Sequence, residues 1–216
     1  KSDDYRENIA FMDGALQYIC MERGINISVF MPYSEALKYM ADWYAQMWAE
    51  SLGKKYARGG EEVFLGQTPV KALGATDQHS QMQLYTEGPF DKVITFVGVD
   101  RFRAEVDIPK GFEEIPDIAF LGGRKMSELY NAERQGTAYA MYRARRVNKT
   151  ITLPEINPFT IGQLLYMLEL ETAFAGELMD INAFDQPGVE ESKQATYALM
   201  GKQGFDEKRQ EMKQSP

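Results

Sequence analysis

Lys92-Val93-Ile94-Thr95-Phe96-Val97-Gly98-Val99 decides the fold class. It is short and mostly apolar, and it reads as the clearest strand of the chain. Ile25-Asn26-Ile27-Ser28-Val29-Phe30-Met31 upstream and Lys149-Thr150-Ile151-Thr152-Leu153-Pro154 downstream read as further strands. Helical patterns separate them. Short apolar strands alternating with helices predict a mostly parallel sheet covered on both faces. The expected class is therefore α/β, a three-layer αβα sandwich.

The intervening helices carry their own signals. Residues 5–22 read as a helix closed by Gly24. Ser34 is placed to cap a long amphipathic helix through about Ser51, with Leu37, Met40, Tyr44, Met47 and Trp48 at helical spacing and Gly53 as its stop. Tyr39, Trp43, Tyr44 and Trp48 on that helix read as core or interface packing. A short helix is expected from Gln78 to about Glu87, and long ones over about Lys125–Arg145 and from Asn157-Pro158 to about Met179. Two more, roughly 188–201 and 205–213, close the chain. Residues 53–75 read as loop-rich, given Gly59-Gly60, Gly66, Pro69 and Gly74, and 102–122 as mixed strand and loop. The Arg143–Arg146 cluster with Lys149 reads as a solvated helix end.

Composition narrows the function classes. The chain has 216 residues, 44% of them hydrophobic, and a formal net charge of −8. Such a charge argues against a general nucleic-acid or anionic-membrane surface, so an anionic substrate needs a local site. Cys20 is the only cysteine, which rules out an intrachain disulfide and suits a reducing compartment. No apolar run reaches transmembrane length, and the N-terminus has no signal-peptide pattern. The chain starts at Lys1 rather than methionine and is expected to be part of something longer. No CxxC, HExxH, Walker loop or clear GxGxxG is present, so no metal or nucleotide cofactor is expected.

Three segments carry residues suited to chemistry. Phe184-Asp185-Gln186-Pro187-Gly188-Val189-Glu190-Glu191-Ser192-Lys193 reads as a loop turning into a helix, with Asp185 as cap and Pro187 in the first turn. Gln186, Glu190 and Lys193 then fall on nearly one face. An amide, a carboxylate and an amine pointing one way suit a small polar ligand. They equally suit a capped surface helix with a Glu190–Lys193 pair. His79, the only histidine, is expected in the first turn of its short helix. There the positive end of the dipole favours a neutral imidazole able to pass a proton. Glu50 is expected in the last turn of the long helix, where the negative end of the dipole should raise its pKa and suit it to proton abstraction beside a carbonyl. Read alone, His79 also fits a helix-start histidine bonded to a neighbour, and Glu50 an exposed carboxylate near Lys54.

Together the three segments resemble phosphoglucose isomerases, in the family's order. The Phe184–Lys193 string is similar at every fixed position to Phe-Asp-Gln-x-Gly-Val-Glu-x-x-Lys, and Gly176-Glu177-Leu178-Met179-Asp180-Ile181-Asn182-Ala183 continues the likeness. Glu50-Ser51-Leu52-Gly53-Lys54 is similar to Glu-Ser-Asn-Gly-Lys, with leucine for asparagine, and Gln78-His79-Ser80 matches Gln-His-Ser. The resemblance runs from about residue 25 to 206. It implies interconversion of glucose 6-phosphate and fructose 6-phosphate in glycolysis and gluconeogenesis, in the cytoplasm, by a homodimer with a shared active site. By resemblance Glu50 moves a proton between C2 and C1 through a cis-enediol, His79 and Lys193 assist ring opening, and Gln186 holds substrate oxygens. It further implies a sugar-isomerase (SIS-type) domain over residues 1–182 and a helical tail over 183–216, and no cofactor. Gly122-Gly123-Arg124 is not the family's Gly-Gly-Arg: Lys125-Met126 follow it, and it comes after His79. Arg124 is expected at a helix start. The enediolate's arginine and the Ser/Thr-rich phosphate loop are thus expected outside this chain, which alone should have little isomerase activity. A non-catalytic sugar-phosphate-binding SIS module is the alternative, though it needs no glutamate, histidine and lysine together.

Overall fold

The computed structural model describes residues 2, 4 and 6–214. The expected domain start at residue 1, the helix start at residue 5, and the tail's last residues, 215 and 216, lie outside the described residues. The chain opens with α1 (Ile9–Glu22), β1 (Ile27–Pro32), a 3-10 turn (Glu35–Leu37) and α2 (Lys38–Leu52). There follow β2 (Lys54–Tyr56), β3 (Glu62–Leu65), β4 (Thr68–Lys71), a second 3-10 turn (Thr76–Gln78), α3 (Met82–Glu87) and β5 (Lys92–Arg101). The rest comprises α4 (Pro116–Ala119), α5 (Met126–Arg143), β6 (Asn148–Glu155), α6 (Pro158–Leu178), a third 3-10 turn (Pro187–Val189), α7 (Glu190–Leu199) and α8 (Asp206–Gln214).

Among the described residues the main sheet has the order β4-β1-β5-β6, with every neighbouring pair parallel. β5 is an inner strand, which is why Val93 through Val99 are all buried. Phe30, Val97 and Val99 enter a core with Met21 of α1, Trp48 of α2 and Leu168 of α6. Val29, Met31, Ile94 and Phe96 enter another with Tyr85 of α3 and Met141 of α5. Neighbouring β1 residues thus serve opposite faces, as strand pleating requires. Two cores on one sheet make the expected three-layer α/β sandwich. No helix among the described residues is long and apolar enough to cross a membrane.

Helix α2 follows its pattern: Ala41, Tyr44, Trp48 and Leu52 are buried, and Met40, Trp43 and Met47 pack partly against the same core. Trp48 is fully buried, so truncation to alanine should cost about 3–5 kcal/mol. Tyr39, expected to pack, is 78% exposed. Ser34 opens the preceding 3-10 turn without a side-chain cap bond, and α2 proper begins at Lys38. At α6 the expected cap is present: Thr160 N–H donates to Asn157 Oδ1 at 2.9 Å, and Pro158 occupies the first turn.

Three expectations need correction. Residues 53–75 hold β2 and β3, an antiparallel pair, and β4, a parallel edge strand of the main sheet. Pro69 disguises β4, yet an edge strand tolerates a residue without N–H. Residues 102–122 hold α4 and a single bridge, Asp107 to Lys125, rather than a strand. Lys149 is no solvated helix end. It lies on β6 and turns inward to Asp13 of α1 and Glu171 of α6, 3.5 Å from Glu171 Oε1. Arg146 is also engaged, donating from Nε to the Thr86 carbonyl at 2.7 Å.

Candidate active site

Helices that follow parallel strands run back antiparallel to them, so α2 ends at the N-terminal edge of the sheet. There Gly66, just before β4, lies against Leu52 and Gly53 at the end of α2. Glu50 sits in this last turn, half-buried. α6 ends at the same edge. A Cβ on Gly176 would lie 2.8 Å from that of Ala183, so glycine lets the chain leaving α6 fold back tightly against it. Ile181 and Ala183 enter the core and anchor the segment that follows.

That segment brings Gln186 to Glu50. Asn182 stiffens the turn, accepting from Phe184 N–H at 3.1 Å and donating to Asp185 Oδ2 at 2.8 Å. Asp185 is therefore not the helix cap expected of it; no side chain caps the 3-10 turn Pro187–Val189. Gln186 Nε2 donates to Glu50 Oε2 at 2.9 Å, and Gln46 Nε2 reaches Glu50 Oε1 at 3.4 Å. α7 starts at Glu190, so Gln186 lies before the helix, not on its face. Even so, Gln186, Glu190 and Lys193 line one open cleft of about 430 Å³ with Phe184, Asp185 and Pro187. Lys193 Nζ pairs with Glu190 Oε1 at 2.8 Å. That hydrogen bond and the Glu190 charge raise the Lys193 pKa, with a smaller contribution from Glu50.

Glu50, Gln186 and Lys193 thus converge, and His79 does not join them. His79 follows β4 and so lies at the opposite, C-terminal edge of the sheet. Its loop is fixed there: Gly74 N–H donates to the Pro32 carbonyl at 2.9 Å, and Tyr33 hydroxyl to Gln78 Oε1 at 2.6 Å. Tyr130 ties it to α5, accepting from Ala75 N–H at 3.0 Å and donating to the Gly74 carbonyl. His79 caps the end of the Thr76–Gln78 turn and precedes α3, so the expected helix-start dipole does not act on it. The imidazole is exposed and makes no hydrogen bond among the described residues. α2, 15 residues or about 22 Å long, spans the sheet between the two edges.

Composition and spacing did not single out Lys54. It begins β2, and its side chain is only 4% exposed. Its Nζ donates to the carbonyls of Glu50 and Asp185, both at 2.8 Å. Burial lowers its pKa, which the Asp185 charge partly offsets. Its position four residues past Glu50, just after a helix-stopping glycine, was the available signal. Arg124 lies two residues before α5, as a helix-start residue would.

A glutamate, an amide and an ammonium on one cleft, with this motif order, can be set against known proteins. A family model described as phosphoglucose isomerase matches residues 2–215. The chain belongs to the phosphoglucose isomerase family. A glucose-6-phosphate isomerase of Carboxydothermus hydrogenoformans is 59% identical over 206 residues, covering 95% of this chain and 44% of that relative. A Thermus thermophilus structure described only as a hypothetical protein matches with a TM-score of 0.80 and 38% identity, over 87% of this chain and 44% of that one. A glucose-6-phosphate isomerase structure from Chlamydia trachomatis shares the fold, with a TM-score of 0.76 and 23% identity over 91% of this chain and 39% of that one. The chain thus spans less than half the length of these relatives.

Proposed function

We propose that this chain is the C-terminal part of a glucose-6-phosphate isomerase, interconverting glucose 6-phosphate and fructose 6-phosphate. The supporting observation is the 2.9 Å hydrogen bond from Gln186, which lines a cleft with Lys193, to Glu50. After ring opening, Glu50 takes the C2 proton of the aldose while the C1 carbonyl oxygen gains a proton, giving a cis-enediol. Glu50 then returns its proton to C1 as the C2 hydroxyl loses its own, giving the ketose. Gln186 holds sugar oxygens, and Lys193 with His79 moves protons between ring oxygen and hydroxyl during opening and closing.

His79 cannot serve the Glu50 of its own chain from the opposite sheet edge. The proposed enzyme is therefore a homodimer in which each histidine serves its partner's site. Residues 1–182 form its SIS-type domain and 183–216 its helical tail. The phosphate clamp and the enediolate's arginine come from the rest of a longer cytoplasmic protein. A coupled assay on fructose 6-phosphate tests this division. The isolated chain should turn over negligibly, and near-normal turnover would refute the claim that essential groups lie elsewhere. In the full-length protein Glu50→Gln should lower C2-proton exchange by about 10²–10⁴-fold, as loss of a general base does. Unchanged exchange would remove Glu50 as the base.

A further inference from the structure

Lys54 is an almost buried ammonium whose nearest acceptors are two main-chain oxygens from distant parts of the sequence. The Glu50 carbonyl is among the last of α2, with no partner in the helix ladder. Gly53 N–H takes the Ala49 carbonyl at 3.0 Å, leaving that of Glu50 to Lys54 at 2.8 Å. A second Nζ proton goes to the Asp185 carbonyl at 2.8 Å, and Asp185 Oδ1 lies 3.7 Å away. One amine thereby joins the backbone of Glu50 to the residue preceding Gln186, and the side chains of Glu50 and Gln186 meet at 2.9 Å.

We infer that Lys54 is a positioning residue for the isomerase reaction, setting the register of the Glu50 carboxylate against the Gln186 amide by clamping both backbones. The inference rests on the reading of Glu50 as base. Lysine suits the task because its three N–H donors can satisfy two carbonyls and still face a carboxylate. Its charge also complements the negative end of α2. Lys54 makes no bond to Glu50's carboxylate and lines a cavity other than the Gln186–Lys193 cleft, so it acts through the two residues it holds. Reactive groups misplaced by about 1 Å can lose roughly 10²-fold in rate, so loosening this clamp should lower turnover more than binding.

The test uses the full-length protein with Glu50→Gln, Lys54→Met and Lys54→Arg variants, read by kcat, KM, C2-proton exchange and thermal unfolding. The expected result is a kcat for folded Lys54→Met lowered about 10–100-fold, with exchange falling in parallel and KM changed less than about threefold. Lys54→Arg keeps the charge and donors, and a cavity of about 600 Å³ beside Lys54 leaves room for the longer side chain, so it should recover much of kcat. If Lys54→Met does not fold, Lys54→Gln, which keeps a donor and most of the volume, takes its place with the same thresholds. A kcat within twofold of the parent in the folded variant, while Glu50→Gln is inactive, overturns the positioning role alone. A loss of activity accounted for by the unfolded fraction, or one that arginine does not recover, also overturns it. Full exchange in Glu50→Gln instead overturns the reading of the base itself.

Discussion

Two groups of carboxylates and amines differ chiefly in what can reach them. Asp13, Lys149 and Glu171 meet between α1, β6 and α6, where Glu171 is 1% exposed. Beside them Gln17 donates to Ser28 at 3.2 Å, and Ser28 hydrogen-bonds Tyr44 at 2.8 Å. Burial pushes the Glu171 carboxyl up to about 8, against the opposing pull of Lys149. Gln186, Glu190 and Lys193 are instead exposed and line an open cleft, and half-buried Glu50 is tied to it through Gln186. A perturbed carboxyl is often taken as a mark of chemistry. Here the strongly shifted carboxyl belongs to a knot that fastens helices to the sheet, while the candidate base is hydrogen-bonded to a residue that lines an open cleft.

This contrast can be broken experimentally, and the largest effect is on the catalytic side. The Glu50→Gln loss described above should come without a measurable change in unfolding midpoint, since the side chain is not in either core. Lys149→Met is the converse. It leaves two buried acids without their cation and should cost about 3–5 kcal/mol in denaturant unfolding. Turnover per folded molecule of the full-length protein should stay unchanged. A loss of kcat with stability intact would mean that the knot serves the site after all.

Glu171→Gln should act through the pH dependence of stability, with its effect near neutral pH spread over several pH units. Because the folded pKa is raised above the ordinary 4.5 to about 8, the folded chain holds a proton that the unfolded chain releases between those values. The stability contributed by Glu171 is therefore full at low pH and declines as pH rises through that window, by at most ~1.4 kcal/mol per pH unit. The glutamine variant should lack this decline and gain on the parent at pH 8. Equal slopes in both proteins would remove Glu171 as the titrating group. Smallest of all, Glu190→Gln should leave stability almost unchanged, as expected for an exposed pair. It should also lower the Lys193 pKa towards its usual value, readable by NMR titration. An unmoved lysine would show that Glu190 does not control it.

Much of the fold was legible because its signals are local. The apolar run Lys92–Val99 marked an inner strand, and the spacing of Tyr44 and Trp48 marked the buried stripe of α2. β4 stayed hidden because its order comes from pairing with β1 and not from its own Thr-Pro-Val-Lys. Lys149 misled because nothing local says that Asp13 and Glu171, far away in sequence, will surround it. At the site the residue types were readable from three motifs, but their geometry was not. The chain turns into α7 through a 3-10 turn, so Gln186 reaches Glu50 from a loop; a seven-residue helical spacing did not describe it. Lys54 does its bonding through backbone oxygens, which leave no trace in side-chain patterns.

The placement of Glu50 and His79 at opposite edges of one sheet has a consequence for dose. Both cores are built from residues of a single chain. On the proposed reading, each working centre needs two. When the protein is dilute enough for pairs to separate, output should fall with the square of chain concentration.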